Sequence, residues 1–139
     1  MKKSVWFLMF FVLLTLSINA QTYNSNTQIS LYVCEKFSPD SGPIGQSIVF
    51  TKGSLTVVAT ADFNMNFGKV FVQLDRMGSD GNFYLYKKFR YDWPGNYPIV
   101  YFYYTSEKDL SFDEPGYYRI FLLNYDNSVL AYTSITIVD

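Results

Sequence analysis

The sequence predicts an all-β fold, a two-layer antiparallel sandwich of seven or eight short strands, on three observations. Apolar and polar residues alternate with period two through most of the chain. Turn residues recur roughly every ten positions between the alternating runs. No segment past the first 20 residues carries the 3.6-residue period of an amphipathic helix.

In chain order, Met1-Lys2-Lys3 supplies a positive start, Val5 to Leu16 is an apolar run, and Ser17-Ile18-Asn19-Ala20 ends on a small residue. The run is shorter than the ~20 residues of a membrane span, and no basic cluster follows it. Residues 1–20 therefore read as a secretory signal peptide cleaved after Ala20, resembling bacterial ones. Residues 21–28 are expected to be a polar, flexible leader, and 29–139 to form a single sandwich domain.

Ile29 to Cys34 alternates as a first strand. Glu35 to Gln46 holds Pro39, Asp40, Gly42, Pro43 and Gly45, a density of breakers that predicts a loop before a short apolar run, Ser47 to Phe50. Leu55, Val57, Ala59 and Ala61 share one face of the next strand, and a loop is expected over Asp62 to Gly68. Val70, Val72 and Leu74 then face inward, with Phe71, Gln73 and Asp75 outward. Asp80-Gly81 between alternating runs predicts a hairpin into Phe83 to Arg90. Tyr91 to Asn96, with Trp93-Pro94-Gly95, is expected to be irregular. Tyr97 to Tyr104 is an aromatic strand, with Pro98 at its start or on an edge.

Asp113-Glu114-Pro115-Gly116 is a tight turn into a strand on which Tyr118, Ile120 and Leu122 share a face, and Val129 to Val138 is the last strand. The Pro-Gly-Tyr-Tyr corner resembles the entry to strand F of immunoglobulin-like sandwiches, where a tyrosine hydrogen-bonds to backbone a few residues upstream. Tyr118 is the residue that this resemblance assigns to that role. The inter-sheet disulfide of antibody domains has no counterpart, because Ile120 stands two residues past Tyr118. Their buried strand tryptophan has none either, Val72 or Leu74 filling that space.

Composition narrows the chemistry. Histidine is absent, which removes the usual neutral-pH base and the commonest transition-metal ligand. Cys34, the single cysteine, allows no intrachain disulfide and reads as a small half-buried strand residue, the alternative being a disulfide between chains. Signal cleavage removes two of the 11 basic residues against 12 acidic ones, so the remaining surface is mildly acidic and unsuited to nucleic acid. Asp109, Asp113 and Glu114 match no calcium-loop spacing and read as a solvated acidic turn. No catalytic residue, cofactor or metal is expected.

The binding candidates are aromatic. On the sheet built from the central strand, the hairpin and the last strand, the outward set is Phe71, Tyr84, Tyr86, Lys88, Tyr117, Arg119, Phe121 and Tyr132. Such a stripe suits a protein partner or stacking on sugar rings, ordinary cross-strand pairing being the plainer reading. Trp93 is a loop platform or a core plug. The uncharged run Ile99 to Tyr104 is expected to be a central strand; as an edge it would be open to pairing with another chain. The expectation is a secreted module, periplasmic or extracellular, with no membrane span after cleavage. It would contact a protein partner, or itself, through an aromatic sheet face or an open edge; the alternative is a carbohydrate-binding module.

Overall fold

The computed structural model describes residues 28–139. The expected signal peptide, and the leader through residue 27, lie outside the described residues. Twelve strands follow in order: β1 Ser30–Cys34, β2 Lys36–Ser38, β3 Gly42–Ile44, β4 Val49–Thr51, β5 Gly53–Ser54, β6 Thr56–Met65, β7 Lys69–Met77, β8 Phe83–Asp92, β9 Tyr97–Phe102, β10 Ser111–Phe112, β11 Gly116–Asn124 and β12 Val129–Val138. One sheet runs β1-β6-β9 and the other β4-β12-β11-β7-β8, with small ladders β2-β3 and β5-β10 beside them. The pairings are antiparallel except β4 on β12, which is parallel.

The inward sets meet as the alternation requires. Val70, Val72 and Leu74 of β7, Ile120 and Leu122 of β11 and Ile135 and Ile137 of β12 pack against Leu31, Val33, Val57, Ala59, Val100 and Phe102 of the other sheet. Each fully buried aliphatic side chain contributes about 1.5–3 kcal/mol. Cys34 is buried and free, so this packing holds the layers together without a disulfide among the described residues.

Gly116 turns the chain into β11 at φ +150°, where a Cβ would meet the Arg76 side chain at 3.1 Å. The Tyr118 hydroxyl then donates to the Glu114 carbonyl at 2.6 Å, from a fully buried ring. The sheet order places β1, β6 and β9 where strands A, B and E lie in an immunoglobulin-like sandwich, and β7, β8, β11 and β12 where C, C′, F and G lie. The fold is therefore an immunoglobulin-like β-sandwich.

Several local expectations are corrected. Residues 36–44, read as a loop, form the β2-β3 hairpin, because the Pro39-Asp40-Ser41 turn runs into Gly42 at positive φ and lets the breakers turn a ladder around. β6 continues to Met65 through residues expected to loop, and its pairing with β9 slips between Thr60 and Met65. β8 continues to Asp92.

The largest correction concerns β9. Expected to be central, it is an edge: it pairs with β6, and among the described residues nothing pairs on its other side. The cause is chain length. Only residues 93–96 separate β8 from β9, too few to build the strand D that flanks E in the full fold.

Candidate functional site

Two surfaces emerge from this architecture. The first is the β9 edge. Val100 and Phe102 point into the core, while Ile99 and Tyr101 alternate to the outside of the sheet. There the β2-β3 hairpin meets them, with Phe37 against Tyr101 at 4.8 Å and Tyr103 continuing the row at 5.8 Å from Tyr101. The gap between hairpin and strand is a groove of about 620 Å3 whose lining includes Phe37, Pro39, Pro94, Tyr97, Ile99 and Tyr103. None of its lining residues is charged. Tyr97, Ile99, Tyr103 and Tyr104 are each about half exposed (51, 46, 52 and 50%).

The second surface is the outer face of the five-stranded sheet. Register fixes its rows: Tyr132, Phe121, Gln73 and Lys88 lie side by side, as do Ser134, Arg119, Asp75 and Leu85. Cations close over part of it. Lys88 Nζ sits 4.6 Å from the Phe71 centroid and donates to Asn127 Oδ1 at 2.6 Å, and the Arg119 guanidinium lies 3.8 Å from the Phe83 centroid. Contacts of this kind stabilise by about 0.5–1 kcal/mol at exposed positions. Phe71 stacks on Tyr125 and Phe121 on Tyr132, leaving Phe121 only 6% exposed. A depression of about 320 Å3 lies between Gln73, Asp75, Lys88, Phe121, Leu123 and Asn127.

The predicted stripe is therefore brought together only in part. Phe71, Lys88, Tyr117, Arg119, Phe121 and Tyr132 share the outer face. Tyr84 and Tyr86 leave it, because a bulge at Leu74/Asp75 shifts β8 by one residue. Tyr86 turns inward against Phe112 and Tyr118 and accepts a hydrogen bond from the Asp113 N–H at 3.1 Å. Tyr84 pairs with Arg76 and folds onto the hairpin turn, its hydroxyl donating to Asp80. Phe83 and Leu85, passed over by a strict period-two count, take their places, Leu85 at 64% exposure.

Trp93 is a core plug and not an exposed platform. It is 7% exposed, its indole N–H donates to the Met65 carbonyl at 2.9 Å, and Phe67 packs edge-on at 5.1 Å. It pins the crossover that carries the chain from one sheet to the other.

The acidic turn is neutralised from within. Lys87 Nζ bonds the Asp109 carboxylate at 3.1 Å and the Ser111 carbonyl at 2.8 Å and approaches Asp113 at 3.6 Å, while Arg76 pairs with Glu114 at 3.2 Å. The Ser111 hydroxyl first, then Lys87, hold the Asp109 carboxyl below the usual carboxylate range. Burial pushes the Cys34 thiol above its ordinary value, the reverse of what a nucleophile needs.

Among solved structures, the chain is similar to an immunoglobulin-like protein from Pseudomonas aeruginosa, at 14% identity and a TM-score of 0.44, the match covering 79% of this chain and 91% of that one. No protein-family model matches the sequence. No curated protein matches it either.

Proposed function

We propose that this chain is an exported, non-catalytic interaction module that engages a protein partner by accepting an extended segment along β9. The supporting observation is the β9 edge, unpaired among the described residues, lying beside a groove with no charged lining residue and offering half-exposed Tyr97, Ile99 and Tyr103. An edge of this kind provides backbone hydrogen bonds for affinity, and the groove provides side-chain contacts for selectivity. Non-catalysis is supported by the absence of histidine and by a buried Cys34 thiol kept protonated. Export is supported by the apolar run and small-residue boundary within residues 1–20.

Panning a display library of random peptides against the protein and against an Ile99→Lys variant tests this reading. Enrichment of extended, apolar segments by the parent and their loss with the variant is the expected result. No enrichment over background, or enrichment indifferent to the lysine, would overturn it.

A second reading keeps one specific observation. The depression on the outer face has an apolar floor at Phe121 and Leu123 and a polar rim of Gln73, Asp75, Lys88 and Asn127. That combination suits a sugar ring better than the groove does, since sugar recognition needs donors and acceptors beside the apolar contact. Glycan-array binding that Lys88→Ala and Asp75→Ala abolish would establish it; an array with no signal would remove it.

A further inference from the structure

We infer that the segment accepted by β9 is β9 of a second copy of this chain. The two strands would run antiparallel about a two-fold axis, so that two three-stranded sheets join into one sheet of six. This rests on the reading of β9 as a strand-accepting edge and names its occupant.

The first support comes from comparing the edges. β8 carries the exposed Lys88 and Arg90, which resist edge-to-edge association. β4 has 3 residues. β1 is flanked by the chain's own Ser47, through a bridge at Val33. Among the described residues β9 has no such protection, and neither it nor the Tyr103 and Tyr104 that follow carries a charge, proline guarding only its second position.

Self-complementarity is the second support. A strand pair must set inward residues opposite inward ones. An axis through Tyr101 satisfies this, placing Val100 opposite Phe102 within the strand and Ile99 opposite Tyr103, the first residue past its end, of the second copy. Each is an aromatic/β-branched pair of the kind that stabilises a ladder by about 0.2–1 kcal/mol. Pro98, which has no N–H, then falls opposite Tyr104, beyond the end of the strand, and removes no central hydrogen bond. A charged strand would leave its charge unanswered in a groove that offers none, whereas the β9 strand of a second copy brings none.

Area is the third. At roughly 200 Å2 per aromatic side chain, the half-exposed Tyr97, Tyr103 and Tyr104 alone offer about 300 Å2 a side. That is about half of the ~600 Å2 per partner of the smaller specific interfaces, before Ile99 and the strand backbone are counted.

Sedimentation of the protein over a micromolar concentration series tests the pairing, with Ile99→Lys and Tyr103→Lys as variants whose side chains point away from the core and whose thermal midpoints report that they remain folded. The expected result is a monomer–dimer equilibrium in the parent, weakened at least about tenfold by either lysine. A parent that stays monomeric throughout, or a dimer that both variants leave intact, would overturn the pairing. If the monomeric parent nevertheless enriches peptides that Ile99→Lys loses, the edge accepts a foreign segment, so self-pairing falls while strand acceptance stands. If neither dimer nor enrichment is found, both fall.

Discussion

Tyr118 does at the scale of one residue what the corner needs: its ring fills the core edge-on to Phe112 at 4.9 Å, and its hydroxyl ties the turn at Glu114. Tyr118→Phe keeps the packing and loses the bond, so it should cost about 1–2 kcal/mol in a denaturant titration; an unchanged midpoint would mean that the corner is held otherwise. Tyr91 is the opposite case. Its hydroxyl is buried without a hydrogen-bond partner among the described residues, and Tyr91→Phe should therefore raise stability by about 1 kcal/mol. Burial pushes the Tyr91 phenol up to about 12, and burial, then the neighbouring Tyr86, does the same for Tyr118. In the unfolded chain these phenols ionise near their ordinary value of 10.0, before they do in the folded one. Their contribution is thus intact below about pH 10 and lost as pH rises toward about 12. Denaturation midpoints measured across that interval should fall, and fall less in Tyr91→Phe.

At the scale of the element, the β7-β8 hairpin shows what a sequence makes plain. Asp80 accepts from the Asn82 N–H at 3.0 Å, and Gly81 follows at φ +82°, so the Asp-Gly pair writes its own turn. Gly81→Ala should cost about 1 kcal/mol in thermal or chemical unfolding without changing the fold; no loss would mean that the turn relaxes freely. Inward faces at Val70, Val72, Leu74, Ile120 and Leu122 were equally legible, because a half-buried strand must alternate. The faces of Tyr84 and Tyr86 were not. One bulged residue inverts everything beyond it, and a bulge leaves no mark on hydropathy. The β2-β3 hairpin was hidden for a related reason: its prolines and glycines signal a turn but not whether the flanking residues pair. Which strand pairs with which is likewise absent from periodicity, so β9 read as core; that only residues 93–96 join β8 to β9 emerges once β8 is seen to run to Asp92.

Across the whole molecule, one economy of chain sets the surface properties. Eight strands close an immunoglobulin-like core, but the direct passage from β8 to β9 omits the flanking strand, and Trp93 anchors the shortcut. The larger sheet guards itself with Lys88 and Arg90 along β8, Lys88 lying over Phe71, and with Arg119 laid over Phe83. The smaller sheet ends in uncharged aromatic residues beside an apolar groove. The asymmetry between a guarded and an unguarded edge is what supports the contact proposed at β9. Amide hydrogen exchange, followed residue by residue at low and high protein concentration, tests this most directly. Those β9 amides that point away from β6 should exchange rapidly in dilute protein and become protected as concentration rises, while β8 stays unchanged. Equal exchange at both concentrations, or new protection confined to the outer face of the larger sheet, would contradict it.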